Sequence, residues 1–168
     1  PDLFNKKSPK LNLGDLLKLN LNLNIKSMKK ISILFCLVFS IHQLSAQVWH
    51  TNLNEAEKIA SKKNERIIMV FQGSDWCGPC IKLDKQIWSS NQFINYAKNH
   101  FVMVKVNFPR KKKNKLTKKQ QDYNNHLMET YNTKGYFPYV VVLDKNAKVI
   151  GSTGYKNTTP GNYIKLLN

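Results

Sequence analysis

The chain predicts an α/β fold in which a central mixed β-sheet is flanked by helices, and three observations carry that expectation. Arg66 to Phe71, Phe101 to Asn107 and Tyr139 to Leu143 are short, nearly continuous apolar runs, the pattern of strands covered on both faces. The segments between the runs repeat their apolar residues at three and four positions, the period of a helix with one buried face. After the third run the chain turns into a further strand and then a helix, so the order reads βαβαββα, with an initial strand at Val48 to His50.

Each element has a local reason. Asn54-Glu55-Ala56-Glu57 resembles a capped helix start, and Leu53, Ala56, Ile59 and Ala60 fall on one face. Gly73-Ser74-Asp75 ends the first buried run. A helix carrying Ile81, Leu83, Ile87 and Trp88 follows, and Asn91 to Asn99 makes a second helical segment. Pro109 opens a loop to about Thr117, beyond which Tyr123, Leu127 and Tyr131, spaced by four, mark a helix. Asp144-Lys145-Asn146-Ala147 is a turn into a strand at Lys148 to Gly151, and Pro160 to Leu167 suits a closing helix. No internal repeat is present.

Composition narrows the class. With 168 residues, 42% of them hydrophobic, and only 7 Gly, the chain is neither disordered nor collagen-like, and no heptad pattern persists. Its formal charge is +17, from 27 Lys plus Arg against 10 Asp plus Glu. Such an excess suits an acidic partner, but 25 Lys beside 20 Asn also reflects the composition of an AT-rich genome.

The amino-terminal part reads differently. Met28-Lys29-Lys30, the apolar stretch Ile31 to Ile41 and the small residues Ser45 and Ala46 have the layout of a secretory signal peptide over residues 28–46, with cleavage expected after Ala46 and an uncleaved membrane tether as the alternative. Residues 1–27 are expected to be upstream or disordered sequence without function. The remaining 47–168 form one expected domain, placed across the inner membrane in the periplasm.

Removing the leader also removes Cys36, leaving Cys77 and Cys80 as the domain's cysteines. A pair three residues apart closes too small a loop to stabilise a secreted domain much, so the pair points to chemistry. A zinc site needs about four ligands, and His50, His100 and His126 are scattered without ligand spacing. No metal and no bound cofactor are expected.

The string Trp76-Cys77-Gly78-Pro79-Cys80, set between a buried strand and a helix, resembles the active-site motif of the thioredoxin superfamily, and the resemblance extends over residues 50–168. It implies a thioredoxin fold and thiol:disulfide exchange on protein disulfides. The chemistry needs a thiolate that attacks a disulfide sulfur and a second thiol near enough to resolve the mixed disulfide. At a helix start, free N–H groups and the helix dipole favour the thiolate, which makes Cys77 the expected attacking and more exposed sulfur and Cys80 the resolving one. Pro79 fits the first turn, where a missing N–H costs no helix bond.

Gly135-Tyr136-Phe137-Pro138 is similar to the thioredoxin loop whose cis-proline faces the cysteines, and that role carries to Pro138, with Phe137 beside it in the substrate groove. Tyr139 after the proline, and two residues instead of one between Gly135 and Pro138, depart from the family pattern. So does Phe71, which stands where thioredoxins hold a buried acid, although Lys105 matches the lysine that accompanies that acid. Asp75 is expected to be an exposed carboxylate rather than a general base.

Gly73-Ser74-Asp75-Trp76-Cys77 is similar to secreted bacterial thioredoxin-like proteins related to the periplasmic domains of thiol:disulfide interchange reductases. The resemblance implies an export-side reductase with a dedicated partner; a monomer is expected, and in an oxidising compartment its electrons are expected from a membrane thiol donor. A disulfide oxidase or isomerase shares the same residues, and a non-enzymatic binding or chaperone module of the same fold is the reading from another class. Seven of the ten residues Arg110 to Lys119 are basic. Such a run is expected to be a mobile, solvated loop, with docking to an acidic protein or an anionic membrane as the alternative. No aromatic residue interrupts it to stack a base, and nucleic acid is not expected as a partner.

Overall fold

The computed structural model describes residues 12–14 and 47–168. The signal segment 28–46 with Cys36, and almost all of residues 1–27, lie outside the described residues.

Five strands form one sheet in the order β1-β3-β2-β4-β5. The centre is β2, Arg66–Gln72, flanked by β3, Phe101–Asn107, running parallel to it, and by β4, Tyr139–Leu143, running antiparallel. At the two edges lie β1, Trp49–His50, parallel to β3, and β5, Val149–Thr153, antiparallel to β4. The sheet is therefore mixed, as expected, and its three central strands are the three apolar runs.

Side chains alternate across the sheet, and each face has its own helices. Ile68, Val70, Met103, Val140 and Val142 pack with residues from three helical segments, among them Leu83, Phe93 and Tyr163. Those segments are α2, Gly78–Leu83, with its continuation; α3, Asn91–Ala97; and α5, Pro160–Leu167. The opposite face, with Met69, Phe71, Val104, Val106 and Val141, packs against α1, Leu53–Lys63, and α4, Lys118–Tyr131. Trp88 sits among aromatic neighbours on the first face, its ring centroid 4.7 Å from Phe93 and 5.3 Å from Tyr163 in edge-on contacts. Burial pushes the Tyr163 hydroxyl far above the ordinary tyrosine value, and that hydroxyl donates to the Gly154 carbonyl at 2.8 Å.

Several boundaries differ from expectation. The cap of α1 is Asn52 rather than Asn54, with Asn52 Oδ1 accepting from the Glu55 N–H at 3.2 Å. The helix after the cysteine motif widens at Asp84–Trp88 into a π turn. β5 begins at Val149 because the turn holds Lys148: Asp144 Oδ1 accepts from the Lys148 N–H at 2.9 Å, and Ala147 takes a left-handed φ of 60°. No helix among the described residues is long and apolar enough to cross a membrane.

Candidate active site

The cysteine pair lies where the central strand β2 passes into α2. Cys77 is the N-cap of that helix, in extended backbone conformation, and its Sγ accepts from the Cys80 N–H at 3.3 Å. Pro79 occupies the first turn. The two sulfurs are joined as a disulfide, with Cα atoms 5.2 Å apart. Cys77 is 5% exposed and Cys80 3%. Exposure thus barely separates them, contrary to expectation; position does, since one sulfur precedes the helix and the other lies within its first turn. Gly78 and Pro79 are exposed beside them, and a Cβ on Gly78 would meet open space.

Trp76 is held from several sides. Its indole covers Gly73 so closely that a Cβ there would lie 2.2 Å from the ring, which leaves room only for glycine. Its Nε1–H donates to the Phe108 carbonyl at 2.6 Å, and its ring centroid lies 5.5 Å from that of Phe137. Phe137 also meets Phe108 at 5.5 Å, and the Phe137–Pro138 peptide bond is cis, the isomer implied by the resemblance. Packing therefore brings together Trp76 and Phe137, which lie far apart in sequence.

The start of the basic segment is built into this site and is not a free loop. Asp75 accepts from the Arg110 N–H at 2.9 Å, the Lys111 N–H at 3.1 Å and the Asn114 side-chain amide at 2.8 Å. The Arg110 N–H first, then the Asn114 amide, and further the N–H and charge of Lys111 hold the Asp75 carboxyl below its ordinary value, against an opposing desolvation. The Arg110 guanidinium lies 3.7 Å from the centroid of the Trp76 ring. Ser74 adds a tie through its N–H to Asn107 Oδ1 at 3.0 Å, and Asn107 Nδ2 donates back to Ser74 Oγ at 2.9 Å. Asn124, buried at 2% exposure, fastens α4 to the same corner by donating to the Asn107 carbonyl at 2.8 Å. The partners of Asp75 are mostly backbone groups more than thirty positions away, so the only sequence signal for them was a lone acid before the cysteines and a basic run elsewhere.

Phe71 is fully buried where the resemblance called for an acid, and its ring lies 6.3 Å from that of Tyr139. Lys105 pairs in register with Val70 and so points to the other face of the sheet, where its Nζ lies 4.5 Å from the centroid of the Trp49 ring. Neither residue offers Cys80 a carboxylate. Among the described residues no group of three or more His, Cys, Asp and Glu side chains is arranged to hold a metal.

A family model described as a thioredoxin-like domain matches residues 53–168. Over 102 residues the chain is 35% identical to the disulfide bond reductase DsbH of Chlamydia pneumoniae, covering 61% of this chain and 60% of that protein. It is 31% identical over 97 residues to the thioredoxin-related protein DsbJ of Chlamydia pneumoniae, covering 51% of this chain and 28% of that one. The chain thus spans less than two thirds of the length of either relative. A solved structure described as a DsbH oxidoreductase superposes with a TM-score of 0.66 at 30% identity, over 72% of this chain and 81% of that one. The match to the family model takes in strands β2 to β5 and the cysteine corner together, and the chain belongs to the thioredoxin-like domain family.

Proposed function

We propose that the chain is a thiol:disulfide oxidoreductase that reduces protein disulfides on the export side of the membrane through Cys77 and Cys80. The observation that carries this reading is the pair itself: two sulfurs joined to each other, the first capping a helix whose Cys80 N–H donates to it. The name of the similar DsbH protein, a disulfide bond reductase, supports the direction.

In the proposed cycle the reduced chain presents Cys77 as a thiolate. Its sulfur attacks a substrate disulfide, forming a Cys77–substrate bond and releasing one substrate thiolate, which takes up a proton. Cys80, deprotonated by solvent since no acid stands at Phe71, attacks the Cys77 sulfur and releases the second substrate thiol. The substrate gains two electrons and the chain is left with the Cys77–Cys80 disulfide seen here. Pro138, without an N–H, and Phe137 shape the groove for substrate backbone, while Trp76, Gly78 and Pro79 hold the cysteines at the helix start. A membrane thiol donor returns the electrons, because cytosolic reductants do not serve an oxidising compartment. The signal layout of residues 28–46 supports export.

The test is reduction of a protein disulfide, such as that of insulin, by dithiothreitol in the presence of the full chain. Acceleration that disappears in Cys77→Ser is the expected result. Cys80→Ser should accumulate mixed disulfides that reductant releases, and Cys77→Ser should not. No acceleration would reject the activity, and equal trapping by the two variants would reverse the roles.

A further inference from the structure

Lys111, Lys112, Lys113, Lys115 and Lys119 are all exposed, and none of them forms an ion pair among the described residues. Lys118 forms an ion pair with Asp122 at 2.9 Å, and among the described residues Asp75 carries the one carboxylate that meets the start of the run. Two carboxylates against seven cations leave an excess of like charge that repels itself, and a free loop would spread to relieve that repulsion. Here the beginning of the run is fixed by Asp75 and by the stacking of Arg110 on Trp76, so its first charge is held against the residue that precedes Cys77. Lys118 and Lys119 stand in the first turn of α4, where the helix dipole is already positive and basic residues are disfavoured. The field of the lysines and that of the helix end therefore add.

We propose that Arg110–Lys119 is a docking surface for an acidic segment of the polypeptide whose disulfide is exchanged at Cys77. The proposal rests on the oxidoreductase reading above and specifies its substrate class. Position favours a polypeptide over a bilayer. The run begins with Arg110 on the ring of Trp76, the residue before Cys77, so an acidic segment bound along it would bring its neighbouring disulfide toward the sulfurs. The large exposed apolar side chains among the described residues are Leu13, Val48, Tyr136, Val149, Ile150 and Leu166, none within the basic run, whose one apolar residue, Leu116, is partly buried, so the run has no exposed apolar side chain to enter the lipid interface.

Three disulfide-bridged peptides with one core sequence, flanked by Glu, Ser or Lys, would be reduced by the full chain, and by its Lys112→Glu/Lys113→Glu/Lys115→Glu variant. The Glu peptide should exceed the Ser peptide in kcat/KM by about tenfold at low salt, equivalent to about 1.4 kcal/mol. That advantage should shrink at about 0.5 M salt, where exposed charges are screened. In the variant it should vanish while the Lys peptide gains. Equal kcat/KM for the three peptides, or a preference untouched by the charge reversal, would overturn the proposal. So would equal peptide rates together with charge-dependent binding to phosphatidylcholine–phosphatidylglycerol vesicles, which would assign the surface to the membrane. Cysteine-free versions of the peptides, titrated against the oxidised chain, read docking apart from turnover. If no peptide is reduced while the Glu version still binds preferentially, the oxidoreductase reading fails and the docking surface stands. Binding without charge preference removes the docking surface.

Discussion

Asp75 shows how one carboxylate can organise a corner of the structure through the hydrogen bonds it accepts. Its acceptors are used by Arg110, Lys111 and Asn114, so it fixes where the basic segment begins and, through that, where the Arg110 guanidinium meets Trp76. Because its folded-state value is lowered, its contribution is present above the ordinary carboxylate value and is lost as pH falls through the lowered one. The clamp should therefore hold from neutral pH down to about 4, the ordinary aspartate value, and release below it. The indole N–H resonance of Trp76, assigned with Trp76→Phe, reports this through its bond to the Phe108 carbonyl. It should stay fixed to about pH 4 and then move, while the buried Trp88 resonance marks any general unfolding. In Asp75→Asn the early transition should be absent, since no titrating group remains. A Trp76 transition above about pH 5 with Trp88 unmoved would show that another group controls the loop.

At the level of elements, legibility followed burial. β2, β3 and β4 were readable because each is covered on both faces, which leaves almost no polar residue to blur the run. The edge strand β5 was misplaced because its side chains are largely exposed and its start is set by Asp144 holding Lys148 in the turn. The cap of α1 was misread since Asn52 and Asn54 are equally plausible caps on paper, and backbone geometry chose between them. The cysteine corner was legible from five consecutive residues. Its tie to Arg110 was not, because hydrogen bonds to distant backbone N–H groups leave no side-chain pattern. The π turn Asp84–Trp88 was equally hidden, yet it places Trp88 between Phe93 and Tyr163 at 2% exposure. Trp88→Ala should cost about 3–5 kcal/mol by the cavity it leaves. Denaturant unfolding of the oxidised protein measures it, and a loss below about 1 kcal/mol would mean that the surrounding helices close over the gap.

For the whole molecule the question is the direction of electron flow, which depends on how strongly the fold stabilises the Cys77 thiolate relative to the disulfide. Greater stabilisation of the thiolate makes a stronger oxidant, and the known range runs from about −270 mV for thioredoxin to about −120 mV for a strong periplasmic oxidant. The helix start stabilises the thiolate in every member of such a family, so the difference must come from nearby charge. Gly78 and Pro79 carry none. Arg110 brings a guanidinium to Trp76, but the carboxylate of Asp75 accepts from the backbone of the same residue, so an opposite charge accompanies it. The other lysines of the run are exposed, and salt screens them beyond about 10 Å at 0.1 M. Thiolate stabilisation should thus remain moderate despite the basic character of the chain. Equilibration with a glutathione redox buffer should give a potential below about −200 mV. Asp75→Asn, which removes the compensating charge, should raise it. A potential near −120 mV in the unaltered chain would show that the basic rim dominates the sulfur and would make the protein an oxidase rather than a reductase.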